Sequence, residues 1–536
     1  MRDTSRDGLL NRVEAYALSH FSGFWRLVMA NPRVRRWANK RIIGRAAQRA
    51  PSRPHALSSM PVRGDPKNPM AGYTSWESLT DNAWFSRHRP PKVLPRYPDL
   101  ETELAPLFKV RSSGPRISED STVLFLSFAQ WFTDGFLMTA EDERRRTLAS
   151  HHIDLNPLYG LNRQQTRAIR LQSEASGKKG RLKSEEIGGE VYAPKLFDEN
   201  GNMKEEFKDL RPPLGHAKHL QNLLPERAAA LRKTMFAFAG ERANTTPFTA
   251  MLNTLFLREH NRLAGVLEKA KPEWDDERVF QTARNINIVQ LIKIVIEEYI
   301  NHISPYYFQL SADPSACWRA SWNKPNWIPI EFDLLYRWHS LVPDYFEIDG
   351  KKIPAQDTLF DCSYLTQSGL ASLAVSASRQ RAWEIGLFNT ADFLVRVELD
   401  SIDQSRKNQV GSYNDYRESV GYPRVTRFEQ ITGDADRVEA LRRVYGAVDN
   451  VELLVGLFAE DVGRRSAVPP LIGRMVALDA FSQALTNPLM SEHVFNERTF
   501  TREGMKVIEE TQRLQDIVNR NLGPNQKPVS ISMTYH

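Results

Sequence analysis

Apolar residues return at helical spacing along most of this chain, and that recurrence limits its fold more than any other feature. Segments 121–139, 248–267, 279–302, 329–341, 365–381, 434–458 and 503–521 each predict helix, whereas runs with the alternation of a strand are scarce. No self-similarity recurs at a period of about 20–50 residues, so a mainly α architecture without solenoid repeats is expected. The polar stretch 177–213, with its GKKG, EEIGGE and DENGN strings, predicts loops around a short hairpin. At 536 residues, 41% hydrophobic and 26% charged, the chain can build a sizeable core, and it is neither disordered nor a polytopic membrane protein. Its nearest approach to a spanning segment, 286–300, is interrupted by Lys293, Glu297 and Glu298, and falls short of the roughly 18 apolar residues needed. Two cysteines, Cys317 and Cys362, exclude a disulfide scaffold and a cysteine-based zinc site, and favour a reducing compartment.

Charge is placed unevenly. Residues 1–64 hold 13 Lys or Arg against 3 Asp or Glu, a net of +10, so with +7 for the whole chain the other 472 residues are net −3. Basicity confined to one end argues against a nucleic-acid protein and for a basic arm or a membrane-surface element. Within 10–50, Leu18, Phe21, Phe24, Trp25, Val28, Val34, Trp37, Ile42 and Ile43 recur at helical spacing among Arg26, Arg33, Arg35, Arg36, Lys40, Arg41 and Arg45. Pro32 predicts a break into at least two short helices. Basic amphipathic helices with Trp and Phe on the other face suit one leaflet of an anionic membrane; a pair of surface helices packed on the body fits the pattern equally. The segment has no uninterrupted apolar core with a small-residue cleavage site, so no signal peptide is expected. The expected organisation is 1–50 as membrane-binding helices, 51–95 as a Pro-, Gly- and Ser-rich connector, and 96–536 as the catalytic body.

Several common chemistries lack their motifs: there is no phosphate-binding GxxxxGK[ST] loop, no dinucleotide glycine fingerprint, no HExxH and no GxSxG elbow. The most unusual segment is LYRWHSLVP, 335–343. On a helix Tyr336 and His339, three apart, would share a face and put a phenol near a metal held by the imidazole. A histidine in such a setting is also commonly a satisfied core residue, and spacing alone does not choose.

LYRWHSLVP resembles the proximal-haem motif of the cyclooxygenase and fatty-acid dioxygenase branch of the animal-type haem peroxidase superfamily. The likeness continues in the family's order through YTSWESL (73–79), FAQWFT (128–133), LREHNR (257–262), FQTAR (280–284), IKIVIEEY (292–299), SIDQSR (401–406) and SYNDYR (412–417), and covers roughly residues 50 to 490. The resemblance implies a helical haem domain and haem b as cofactor, with His339 as the proximal iron ligand and Gln130, Thr139 and Trp338 beside the cofactor. It implies that Tyr336 forms a radical that abstracts hydrogen from an allylic or bis-allylic carbon. It further implies that Arg53 and Tyr306 clamp the carboxylate of a fatty-acid substrate, with Arg49 or Arg63 as substitutes for Arg53. Phe132, Phe136, Val295, Tyr299, Phe332, Leu335, Trp338 and Val476 would line an apolar channel, though such residues are core in any helical protein. Ser482 approximates the serine that aspirin acetylates in cyclooxygenases. The EGF-like module of the family has no counterpart in a chain with two cysteines, and an intracellular, bacterial-type protein on the cytoplasmic side of the membrane is expected.

One departure stands out. The family places a histidine four residues after the glutamine, facing the sixth coordination position of iron; here the fourth residue after Gln130 is Asp134. A carboxylate there either performs the acid–base work on peroxide or leaves the position vacated. Arg242, five residues before Pro247, matches the distal arginine of simple peroxidases in the superfamily and could polarise bound peroxide; a haem-propionate partner or surface ion pair is the alternative. The expected function is a haem-dependent fatty-acid dioxygenase that uses O2 and a peroxide initiator and forms a fatty-acid hydroperoxide. A peroxidase without fatty-acid oxygenation and a degenerate haem-binding relative are the alternatives, and a homodimer is kept open.

Overall fold

Helices Pro247–Ala270 and Asp276–Ile294 pack against each other along much of their length and form the central layer. The first starts where Thr246 accepts a hydrogen bond from Thr249 N–H and Thr249 returns one, with Pro247 at the first helical position, where its missing N–H costs nothing. Helices Val123–Thr133 and Leu370–Arg379 pack on the first of them, and Glu497–Glu510 packs on both. The computed structural model describes residues 16–47, 84–140, 142–212, 223–324 and 327–536.

The expectation of a mainly α protein holds. Among the described residues strands form three two-stranded antiparallel pairs: Ile117–Thr122 with Arg381–Trp383, Glu185–Ile187 with Glu190–Tyr192, and Tyr345–Ile348 with Lys351–Pro354. The second is the short hairpin expected in 177–213. Its turn is Gly188–Gly189, with φ of 60° and 82°, values that cost a glycine nothing and a side-chain-bearing residue strain. The segment expected at 279–302 is helical from Asp276, widens into a π-type turn over Val295–Ile300 and ends at Ile303. Segments 365–381 and 434–458 are each broken at a glycine with positive φ, Gly369 and Gly446.

Pro32 acts as expected. Helix Ser22–Ala30 stops at Asn31, and Pro32–Ala47 begins anew with Asn31 Oδ1 accepting from Arg33 and Val34 N–H. Val28, Ala38, Ile43 and Ala47 face the body, and buried Asn39 exchanges two hydrogen bonds with the Ser311 backbone at 2.9 and 3.0 Å. The other face carries Phe21, Phe24, Leu27, Val34 and Trp37 in the open, with Leu27 75% and Trp37 63% exposed. One face of this arm thus packs on the body, as the surface-helix reading expects, and several large apolar side chains stay exposed. No helix among the described residues is long and apolar enough to cross a membrane.

The expectation for 329–341 needs correction. The helix is only Ile330–Leu335; Tyr336 and Trp338 leave helical geometry, at φ/ψ of −89°/18° and −87°/44°, and His339 opens a separate short 3-10 turn, His339–Leu341. Tyr336 and His339 thus do not share a helical face. Pro343 and the ring of Trp338, whose Nε1 donates to Leu335 O at 2.7 Å, suit a turn better than a continuing helix.

Candidate active site

Helix Val123–Thr133 is buried at almost every position and is started by Thr122, whose Oγ1 accepts from Phe125 N–H. Asp134 is its last turn: its N–H donates to Gln130 O at 2.9 Å, so the one-turn spacing from Gln130 expected from sequence is kept. Beyond it the chain turns through Gly135, whose carbonyl accepts from Asn156 Nδ2. Residues of the 239–243 segment press on Pro157, where a side chain at Gly240 would sit 2.6 Å from its Cα, and Pro157 in turn lies against Gly135. This close approach delivers Arg242 to Asp134. Arg242 Nη1 donates to Asp134 Oδ1 at 3.1 Å and to Leu137 O at 3.3 Å.

The second oxygen of Asp134, Oδ2, is buried without a hydrogen-bond partner. Burial pushes its carboxyl up to about 6, against the pull of the Arg242 and Arg337 guanidinium groups. Asp134 and Arg242 line one pocket with Trp131, Met138, Gly240 and Ala243. Phe132 and Phe136 line a neighbouring one with Gly135, Ile153, Leu155 and Leu291.

Thr139, six residues past the helix, ties this segment to the one that carries Tyr336. Its Oγ1 donates to Asp333 Oδ2 at 3.1 Å, and the same oxygen accepts from Gln404 Nε2 at 2.7 Å and Arg337 Nη2 at 2.9 Å. Gln404 belongs to the SIDQSR string, and Arg406 of that string grips Glu452 through two bonds of 2.7 and 2.9 Å. Other motif residues likewise build scaffold: Glu259 of LREHNR meets Arg262 and Arg520, and Tyr416 of SYNDYR donates to buried Glu331 at 2.7 Å.

Tyr336 is enclosed by aromatic rings: Trp338 at 4.8 Å, Phe332 at 4.9 Å in an edge-on arrangement and Phe136 at 6.5 Å. Its hydroxyl is buried and has no aligned hydrogen-bond partner, as is true of the Tyr299 hydroxyl that faces it. Burial first, and the Asp479 charge second, raise the Tyr336 phenol far above its ordinary value, so it keeps its proton. Tyr299 itself sits among Phe125, Phe128 and Phe132, at ring separations of 5.4 to 5.9 Å. Val295, Phe332, Leu335 and Val476 are buried.

His339 points Nδ1 toward Glu398 Oε2 at 3.2 Å, and no hydrogen bond to its Nε2 occurs among the described residues. The ring is about one-fifth exposed in an otherwise buried neighbourhood. Among the described residues no group of three or more His, Cys, Asp and Glu could hold a metal ion. A metal at His339 would thus need a prosthetic group for its remaining ligands. The donor set fits a haem: a histidine with one nitrogen beside an acceptor and the other uncommitted, and across the fold a carboxylate with a bare oxygen.

Sequence reasoning missed Glu398, which lies three residues before SIDQSR and in no quoted string. It also missed a buried pair next to Ser482. His88 Nε2 meets Asp479 Oδ2 at 2.8 Å; burial opposes protonation of His88, but the charge of Asp479, its hydrogen bond and the charge of Glu331 outweigh that and push it up to about 9. Ser482 is buried and donates to Asp479 O at 2.9 Å. Tyr306 is half-buried, and Arg53, Arg49 and Arg63 lie outside the described residues, as does YTSWESL.

A family profile for animal haem peroxidases matches residues 110–531. The chain belongs to the animal haem peroxidase family, and it is an oxidoreductase. It is 32% identical to prostaglandin G/H synthase 2 of Equus caballus over 524 residues, covering 95% of this chain and 80% of the relative. With prostaglandin G/H synthase 1 of Mus musculus it shares 32% over 442 residues, 80% of this chain and 69% of the relative. Its fold is that of a fatty acid alpha-dioxygenase of Oryza sativa solved with palmitic acid (TM-score 0.68, 16% identity, 97% of this chain and 94% of that one). Peroxidase A of Dictyostelium discoideum shares it as well (TM-score 0.65, 20% identity, 84% and 95%). Family membership implies a haem.

Proposed function

We propose that the protein is a haem-b-dependent fatty-acid dioxygenase that converts an unsaturated fatty acid and O2 into a hydroperoxide through a radical on Tyr336. The observation that carries this reading is the Tyr336 hydroxyl: buried, protonated, walled by Phe136, Phe332 and Trp338, and three residues before a histidine whose Nε2 is free to bind iron. Relatives named for prostaglandin and fatty-acid oxygenation support the substrate class.

His339 would hold the haem iron through Nε2, with Gln130, Thr139 and Trp338 as cofactor neighbours. Haem supplies the one-electron oxidising power drawn from a peroxide initiator. Tyr336 loses its phenolic hydrogen atom and takes one from an allylic or bis-allylic carbon; O2 adds to the delocalised carbon radical so formed, and the peroxyl radical takes a hydrogen atom from the Tyr336 hydroxyl to give the hydroperoxide and restore the tyrosyl radical. Val295, Tyr299, Phe332, Leu335, Phe132, Phe136 and Val476 keep water from the acyl chain, and Ser482 borders it. Arg53 with Tyr306 holds the carboxylate. Asp134, its carboxyl raised to about 6 by burial against the pull of Arg242, receives and returns the peroxide proton.

An oxygen-electrode trace tests the reading: haem-reconstituted protein with a trace of peroxide should consume O2 with unsaturated fatty acids. Peroxide turnover without any O2 uptake would instead establish the second reading, a peroxidase alone, which the Asp134–Arg242 pair favours.

The exposed face of Phe21, Phe24, Leu27 and Trp37, among Arg26, Arg33 and Arg41, suits a peripheral contact with an anionic leaflet, where each buried apolar side chain contributes about 1.5–3 kcal/mol. Replacing Phe24, Leu27 and Trp37 with Ser leaves the packed face intact and should abolish sedimentation with anionic vesicles; undiminished binding would make these helices purely structural.

A further inference from the structure

We infer that Glu398 is a positioning residue for the iron ligand: its carboxylate accepts the Nδ1–H of His339, fixes the tautomer with Nε2 bare, and makes that nitrogen a stronger electron donor than a histidine without such a partner. The inference rests on the haem reading above and concerns a residue that none of the family-like strings contains.

Glu398 sits in helix Asp392–Lys407 and is only 3% exposed. A carboxylate so placed must be compensated on both oxygens. Oε1 accepts from Thr390 Oγ1 at 3.2 Å. Oε2 has the imidazole as its charged or polarisable neighbour, at 3.2 Å from Nδ1. Seen from the histidine, Nδ1 is buried, stands 3.2 Å from Glu398 Oε2 and has no aligned hydrogen bond; the inferred bond is the arrangement that would satisfy both groups at once. The helix that carries Glu398 packs directly on the His339–Leu341 turn, so backbone and not side-chain chance sets the approach. Six residues further along that helix Gln404 reaches Asp333, just ahead of Tyr336. One helix thus braces both ends of the 333–339 segment. A carboxylate behind a metal-bound histidine raises the basicity of its ligating nitrogen, whereas a neutral acceptor does so less.

The test uses the haem-loaded protein and reads the iron–histidine bond. In the ferrous form, the Fe–His stretching band in resonance Raman spectra should fall in the order wild type, Glu398→Gln, Glu398→Leu, and Glu398→Asp should recover part of the loss. The midpoint potential of the haem should move positive in the same order. A purely structural role for Glu398 would change thermal stability without that ordering. A stretch that is the same in wild type and Glu398→Gln, with the Soret band kept, overturns the proposal. Should Glu398→Leu lose haem, the Gln and Asp variants alone decide. A wild-type protein with no Soret band, or one whose Soret band survives His339→Ala unchanged, overturns the haem reading itself, which is a different result.

Discussion

The two sides of the candidate site are built in opposite ways. The Tyr336–His339 side comes from one contiguous string, and its side chains are locked by immediate neighbours: Phe332, Trp338 and the helix of Glu398. The Asp134 side is assembled from segments more than a hundred residues apart, with Arg242 delivered by the contact of Gly240 on Pro157. The first side holds the tyrosine and histidine that the family resemblance singles out, while the second holds the Asp134–Arg242 ion pair where that resemblance leads one to expect a histidine. A contiguous, densely packed string tolerates little change, whereas a pair held by two separate segments can be exchanged for another pair of like geometry.

The largest test of this contrast is at His339. His339→Ala should remove the Soret band or shift it to that of an exogenously ligated form, since no other described side chain is arranged to replace the imidazole.

Next is Tyr336→Phe, which keeps the ring packing and removes only the hydroxyl. Haem content and peroxide turnover should persist while O2 uptake with fatty acid falls to background; retained uptake would sink the radical assignment.

On the opposite side the expected effects are smaller. Asp134→Ala should lower peroxide consumption at least about tenfold, as expected for a positioned acid–base group, and Asp134→His should raise it. Rates indifferent to Ala, Asp and His would mean that position 134 does not face the peroxide.

The smallest effect is a shift of a pH profile. Proton acceptance requires ionised Asp134, so peroxide consumption should rise with pH through about 6. Arg242 holds the carboxyl below where burial alone would put it; Arg242→Gln removes that pull, and the rising limb should move to higher pH. A limb that stays in place would assign it to another group.

How much of this was legible beforehand follows the same division. Helical periodicity alone supported a mainly α body, the glycine-rich polar stretch supported a hairpin, and Pro32 supported two helices in the basic arm; each is a local signal that the local backbone obeys. The family-like strings brought His339, Tyr336 and Gln130 to attention because those residues lie inside the strings, and Asp134 because it stands four residues after Gln130. Sequence spacing misled where it assumed a helix through 336–339, since the Trp338 ring and Pro343 turn the chain there. Only tertiary structure decided that Asp134 meets Arg242, that its outer oxygen is left bare, and that Glu398 stands behind His339. Those contacts join residues between 59 and 108 positions apart, and no periodicity or spacing rule reaches that far: they depend on how helices pack, which the whole chain determines together.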